Sequence, residues 1–259
     1  MHKNIQEYWD NQALEFQNSS LATSPDSIAF EMELKTLMQY LKPKDKICDV
    51  GCGNAQKAKS IVKDLECDYT GIDFSKQMIK AANSVRLELL KQNPKLKLKF
   101  KQANILEEKL FEKQSFDKII STRCLINLCD FDEQKKAIKN IASFLKKDGI
   151  FLCIENTLEA LENLNKVRAD FDLEPIKVRW HNCYFKEKEL LEFIKEDFVC
   201  EKIDNFASTY YLISRTLNAL MSKSVDYNSK LNLLSAKLPA LGDFSPMKCF
   251  VLRKLDTND

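Results

Sequence analysis

The sequence predicts a doubly wound α/β fold: a mostly parallel, seven-stranded sheet with helices on both faces and helical insertions late in the chain. Three observations predict it. From about residue 46 onward, short β-rich runs alternate with stretches whose apolar residues recur at three- and four-residue steps, as strands joined by crossover helices do. The first of these runs ends in the tight bend Gly51-Cys52-Gly53, although the 259 residues hold only 5 glycines. The second ends in an acidic residue, Asp73, twenty positions past Gly53.

Residues 3–17 and 26–42 read as helices, the second stopping before Pro43. A strand is expected at 46–50, a helix from about 55 to 65 and a strand at 68–73. Ser75 is placed to cap the next helix, whose Met78, Ile79, Ala82, Val85 and Leu89 share one face; Pro94 closes that stretch. Lys95 to Lys101 alternates lysine with Leu96, Leu98 and Phe100, which reads as an edge strand guarded by lysine rather than as a nucleic-acid stripe. Phe116–Ser121 is a strand, 132–146 an amphipathic helix, Lys147-Asp148-Gly149 a turn and Ile150–Glu155 a strand. A helix near 187–195 and a strand near 198–205 are flanked by less regular segments at 157–190 and 207–245, before a last strand from Met247 to Arg253. The expectation is one domain, with N-terminal helices over 1–42, a core over 45–156 and the two late insertions.

Composition narrows the function. Forty basic against 38 acidic residues leave a net charge of +2, too small a field to gather nucleic acid or an anionic membrane. The opening Met1-His2-Lys3-Asn4-Ile5-Gln6-Glu7 lacks the apolar core of a signal peptide, and no apolar run reaches the roughly 20 residues that cross a bilayer, so a cytoplasmic protein is expected. Nine cysteines, several inside apolar runs such as Phe151-Leu152-Cys153-Ile154, read as reduced core residues. With no Cys-x-x-Cys pair and two histidines, His2 and His181, no metal is expected.

In such folds ligands sit at the carboxyl ends of the strands. A strand turning sharply into a helix needs residues that tolerate unusual dihedrals and let a ligand approach the backbone, which Gly51 and Gly53 supply. Asp73 then stands where a carboxylate accepts hydrogen bonds from ribose hydroxyls. A nicotinamide dinucleotide would share that spacing, but it wants a small residue where this chain has Gln56. The carboxylate of Asp49 would also face a pyrophosphate as one anion faces another. A sulfonium amino acid meets no such repulsion.

Ile47-Cys48-Asp49-Val50-Gly51-Cys52-Gly53-Asn54-Ala55 resembles the first motif of class I S-adenosylmethionine-dependent methyltransferases, and Tyr69-Thr70-Gly71-Ile72-Asp73-Phe74-Ser75 their second-strand motif. Ala103-Asn104-Ile105-Leu106 is similar to the segment that contacts adenine, with Asn104 where the family usually has aspartate. Phe116 through Leu128 resembles the fourth-strand motif and Leu145 through Ile150 the turn before the fifth. Tyr8-Trp9-Asp10-Asn11-Gln12-Ala13 resembles the amino-terminal helix that often closes over the cofactor. The resemblance implies S-adenosyl-L-methionine as cofactor, S-adenosyl-L-homocysteine as product, and Tyr8, Trp9, Asp49, Gly51, Cys52, Gly53, Asp73, Phe74, Met78, Asn104, Ile105 and Ser121 as its contacts.

The acceptor is expected to be a small molecule. A hydroxyl acceptor must lose a proton, and His181 is the candidate base, because imidazole accepts a proton near neutral pH. The chain has only six arginines. Arg123, Arg168, Arg179 and Arg215 lie in the fourth-strand motif or the late insertions, and their planar forks suit a carboxylate or phosphate. Asn127, Trp180, Tyr184 and Tyr210 complete the expected acceptor set, and Phe185 and Tyr211 extend its aromatic wall. The segment from Glu155 to Asn182 resembles bacterial O-methyltransferases of surface-carbohydrate and related pathways. That points to a hydroxyl on a sugar or another small anion, worked on by a monomer or homodimer. The alternatives are a small-molecule N-methyltransferase and a cofactor-binding regulator without turnover. A base-modifying nucleic-acid enzyme is disfavoured, since Ser121-Thr122-Arg123 replaces the Asp/Asn-Pro-Pro-aromatic signature.

Overall fold

The computed structural model describes residues 1–221 and 226–256. Two helices, α1 (His2–Phe16) and α2 (Ser27–Met38), precede the sheet; Asp26 caps α2 by accepting from the amide of Ala29. β1 (Lys46–Val50) is buried on both faces after its first residue, as befits the middle of a covered sheet. α3 (Gln56–Asp64) crosses to β2 (Asp68–Asp73), and α4 (Lys76–Gln92) leads to β3 (Lys97–Gln102). The Ser75 hydroxyl accepts from the Met78 amide, so the cap expected for α4 is the one observed.

The chain then returns past β1. β4 (Phe116–Thr122), α5 (Phe131–Phe144) and β5 (Leu145–Asn156) follow, then α6 (Leu158–Asp170), α7 (Glu187–Ile194) and β6 (Phe198–Asp204). α8 (Ser208–Arg215), α9 (Leu217–Met221) and α10 (Lys230–Ser235) precede β7 (Met247–Lys254). The seven strands lie in the order β3-β2-β1-β4-β5-β7-β6, with β7 antiparallel to both its neighbours and every other pairing parallel. No helix among the described residues is long and apolar enough to cross a membrane.

Alternation along the strands sends one set of side chains to each face. On one, Ile47, Ile120 and Leu152 pack with Leu37, Ile61, Ala82 and Val85. On the other, Cys48, Val50, Ile119 and Phe151 pack with Ile138, Ile141 and Leu190. The direction of travel reverses between β1 and β4, and register sets Val50 level with Ile72 and Ser121. Their carboxyl ends therefore open a crevice at one level.

Two expectations differ. Lys147-Asp148-Gly149 is not a separate turn; β5 already pairs with β4 at Leu145–Phe116, and the ladder shifts register there while Asp148 takes φ 56. The extra residues are absorbed as a bulge. The insertions expected to be irregular contain α6, α8, α9 and α10. The last three span 8, 5 and 6 residues, too few turns for a period to stand out. Residues 222–225, within the second insertion, lie outside the described residues. β3 is the expected edge strand, with Lys97, Lys99 and Lys101 exposed. All nine cysteines are unpaired.

Candidate active site

The crevice is a cavity of about 360 Å³ lined from the ends of β1, β2 and β4 and from the N-terminal and late segments. Its floor is the bend after β1. Gly51 and Gly53 take φ of +74° and +53°, and a Cβ on Gly51 would lie 2.5 Å from Cys124 Cβ. Amides of Gly51 and Cys52 both donate to the Ile72 carbonyl, which ties the bend to β2 (2.9 Å each). Asn54 donates to the carbonyls of Gln17 and Ser19 (2.7 Å each) and draws the segment after α1 over the bend.

Asp73 closes this half. One carboxylate oxygen accepts from the Gly53 amide (3.0 Å) and the other from Ser75 (2.9 Å), and each keeps a lone pair for a ligand. Burial, countered only partly by those two amides, pushes its pKa up to about 6. Cys52, Phe74, Met78, Asn104 and Ile105, named from the motifs as cofactor contacts, line the cavity around it. The Asn104 side-chain oxygen accepts from the Leu106 amide (3.0 Å), which fixes the loop after β3.

The other half is organised by a buried carboxylate that the motifs do not single out. Glu155, near the end of β5, accepts from the Ser121 hydroxyl (2.5 Å) and the amides of Cys124, Leu125 and Ile126. It thereby shapes the loop after β4, in which Arg123 is held at φ 50. Gln134 on α5 stitches that loop to the 179–185 segment by donating to the carbonyls of Leu125 (3.1 Å) and Cys183 (2.8 Å). Arg123 lines the cavity and pairs with Glu33 of α2 at 3.0 Å. Burial raises the pKa of Glu33, against the pull of Arg123 and Lys57. Arg215, also on the wall, is bound to Asp26 at 2.6 Å and flanked by Tyr211 and Tyr227, each ring centre 4.8 Å from its guanidinium carbon.

His181 lies on the wall, 4% exposed. Its ring stacks on Tyr8 of α1 (centroids 4.5 Å apart) and meets Trp9 and Trp180 edge-on. Burial, with Arg179 nearby, lowers its pKa below the ordinary 6.5, so it is neutral at pH 7. Nδ1 of His181, Nε of Arg123 and Oγ1 of Thr122 are buried and without hydrogen-bond partners among the described residues. All three residues face the cavity. Helix α1 is fastened above by Trp9 Nε1 donating to Asn127 (3.1 Å), and by Asp10 accepting from the Ser75 hydroxyl (2.5 Å) and the Gln77 amide (3.1 Å).

Fifteen expected residues thus reach the cavity, Trp9, Asn127, Arg179, Tyr184 and Tyr211 among them. Seven do not; Phe185 is buried in the hydrophobic core. Asp49 points along the Ile47 face toward α3, where Lys57 (2.9 Å) and the Tyr69 hydroxyl (2.6 Å) occupy it; Lys57, not Asp49, lines the cavity. Ser121 is committed to Glu155. Arg168 donates to the carbonyls of Glu174 and Arg215, so its guanidinium staples the late insertions together. Tyr210 is buried with its hydroxyl on Asp26 (2.8 Å). Trp180 is 57% exposed and braces His181 from outside, and Tyr8 stands behind the same ring. Sequence reasoning missed Glu33, Lys57 and Tyr227 on the wall and Glu155 behind it; only the buried setting of Glu155, at the end of an apolar strand, offered a signal.

The methyltransferase domain family matches residues 41–199. The chain is 30% identical over 140 residues to a carboxy-S-adenosyl-L-methionine synthase of Nautilia profundicola, across 54% of this chain and 56% of the relative. It is 25% identical over 169 residues to the eEF1A lysine and N-terminal methyltransferase of Bos taurus, across 60% of this chain and 22% of that one. The matches therefore span about half, or less, of these relatives' length. Among solved structures, geranyl diphosphate C-methyltransferase from Streptomyces coelicolor A3(2), in complex with Mg2+, geranyl diphosphate and S-adenosyl-L-homocysteine, superposes with a TM-score of 0.64 at 14% identity over 97% of both chains. The putative methyltransferase in complex with the Haloferax volcanii Trm112 activator gives 0.63 at 15% identity, over 95% of this chain and 96% of that one. At such identities these structures speak for the fold alone. The family match begins just before β1 and runs through β5 and its crossover into the start of β6, the whole frame of the crevice, and on that ground the chain belongs to the class I S-adenosylmethionine-dependent methyltransferases.

Proposed function

We propose that this methyltransferase acts on a hydroxyl of a small anionic, sugar-like acceptor, of the kind consumed in surface polysaccharide assembly, with His181 as the base. The single observation that carries the reading is the buried, unpartnered His181 Nδ1 on the wall of the same cavity as the glycine bend and Asp73.

The residues fit the cofactor. Gly51 and Gly53 add no Cβ to the bend, Asp73 keeps two lone pairs where ribose hydroxyls donate, and Phe74, Ala103 and Ile105 offer an apolar slot beside Asn104 for an adenine ring. Lys57 and the backbone of the bend are the groups for the amino-acid end. When bound, S-adenosylmethionine supplies a methyl group on positively charged sulfur, an already activated leaving group.

What remains for the protein is to align, dry and deprotonate. Trp9 and Asn127 roof the space between the two halves. Lys177 and Arg179 on the same wall provide charge for an anionic group, and Tyr184, Tyr211 and Tyr227 provide faces for a ring. Burial raises the pKa of Tyr184, which therefore stays a hydrogen-bond donor at neutral pH. His181, neutral, takes the hydroxyl proton at Nδ1. Thr122 Oγ1 and Arg123 Nε are two further buried polar atoms of the wall without partners among the described residues, and an acceptor could satisfy them.

A second reading rests on Glu33, a buried carboxylate on the wall that would suit an amine-bearing acceptor. Release of S-adenosylhomocysteine, measured with hydroxylated anions, sugar derivatives and amines in wild type and His181→Gln, separates the two. The hydroxyl reading expects turnover with the first two classes and its loss in the variant, cofactor affinity being retained. Turnover confined to amines and indifferent to His181 would replace it with the second.

A further inference from the structure

The spacing of metal-ligand residues along the sequence is uninformative, yet folding brings His2, Cys129 and Glu133 together where the first residue of α1 meets the start of α5. Their ligand atoms all lie within 4.8 Å of one another. His2 Nε2 is 2.8 Å from Glu133 Oε1, and Cys129 Sγ is 3.5 Å from Nε2 and 3.7 Å from Nδ1.

From these contacts we infer that the three residues form a binding site for a zinc-class divalent cation, at the rim of the cavity where α1 meets the body of the protein. In a tetrahedral zinc site, metal–sulfur and metal–nitrogen bonds of about 2.3 and 2.1 Å set the ligand atoms about 3.6 Å apart. The S···Nε2 separation matches that edge length, but a metal on the Nε2 lone pair would set Sγ more than about 5 Å from Nδ1, so the exposed His2 ring has to turn and the N···O pair to open by about 0.6 Å on binding. Thiolate, imidazole and carboxylate are the ligand types zinc takes. Two of the three are held in place. Cys129 and Glu133 stand four residues apart, the Cys129 amide donates to Glu133 Oε2 (2.9 Å), and the Glu133 amide is capped by Asp130 (2.9 Å). Glu133 Oε1 now bonds His2 Nε2; the cation would take the place of the proton between them, which passes to His2 Nδ1 or to solvent.

Three protein ligands leave the fourth position to water, and coordination releases the thiol proton of Cys129 to solvent. His2 belongs to α1 and the other two to the α5 end, so the cation bridges the helix to the body. At its other end α1 is fixed by Asp10 on Ser75 and Gln77. The inference does not depend on which acceptor is methylated, nor on turnover.

The test is titration of the reduced, tag-free protein with Co2+, followed by the near-ultraviolet thiolate-to-cobalt absorption and by circular dichroism for folding. The expected result is one equivalent bound with that absorption, displaced by Zn2+. The absorption should be lost in Cys129→Ser, kept in Cys183→Ser, and reached only at more than about tenfold higher cobalt in His2→Ala. No thiolate absorption in the wild type, an absorption that survives Cys129→Ser, or an affinity indifferent to His2→Ala would each overturn the assignment and leave an ordinary His2–Glu133 contact.

Discussion

Asp73 gives a measurement whose size follows from its surroundings. Burial raises its carboxyl to about 6 in the ligand-free protein, even with the amides of Gly53 and Ser75 bonded to it. Ribose hydroxyls donating to the carboxylate favour the charged form, so the bound state has the lower pKa and binding releases a proton. Affinity then rises with pH through the free-state value. A carboxyl at about 6 is roughly nine-tenths protonated at pH 5 and one-tenth at pH 7. With the bound-state value below 5, the affinity for S-adenosylhomocysteine climbs roughly tenfold between pH 5 and pH 7 and flattens above. Titration calorimetry at several pH values, in buffers of different ionisation enthalpy, reads both the slope and the released proton. Asp73→Asn should bind more weakly and with no slope over this range. A wild-type affinity level from pH 5 to pH 7, or a slope that persists in Asp73→Asn, would refute the assignment. The sign for stability is opposite: the raised value makes the ligand-free fold lose stability as pH rises from about 4 to about 6.

Other outcomes follow from the same geometry. His181→Gln should lower turnover on a hydroxyl acceptor by roughly 10²–10⁴ while calorimetry finds S-adenosylhomocysteine affinity unchanged. Gly51→Ala forces a side chain into φ +74° and sets its Cβ 2.5 Å from Cys124; left-handed strain of about 1–2 kcal/mol and overpacking of about 1–3 kcal/mol should lower the melting temperature by several degrees. Glu155→Ala strips four donors of their acceptor and should destabilise by about 3 kcal/mol or more in denaturant titration, with Glu155→Gln intermediate because one oxygen remains. Limited proteolysis should cut within α1 more slowly when cofactor is present, since Trp9 and Asn127 close over the same cavity.

The fold was legible because its signals are local. Ile47–Val50 and Phe116–Thr122 are short β-rich runs whose apolar residues are interrupted only by a few polar ones, Ser75 is a cap with its helix beside it, and Gly51 and Gly53 stand out in a glycine-poor chain. The half of the cavity around Asp73 was legible for the same reason: its residues stand at the ends of consecutive strands. Pointing direction was harder to read. Asp49 sits in β1 two residues before the expected bend, but strand alternation aims it with Ile47 at α3, where Lys57 takes it. The other half of the cavity depends on pairs far apart in sequence, such as Glu33 with Arg123 and Asp26 with Arg215, and no periodicity encodes them. Among late aromatic and basic residues, type alone did not separate Arg179 and Tyr184, on the wall, from Arg168 and Tyr210, which brace neighbouring segments.

Helix α1 belongs to both halves at once. Tyr8 backs the imidazole of His181, Trp9 reaches the loop after β4, and Asp10 holds the start of α4 beside Asp73. Under the proposed function, a displacement of α1 that admits the nucleoside would also take Tyr8 away from the His181 ring, so the seating of the donor and the packing around the proposed base are coupled through three neighbouring side chains on one turn.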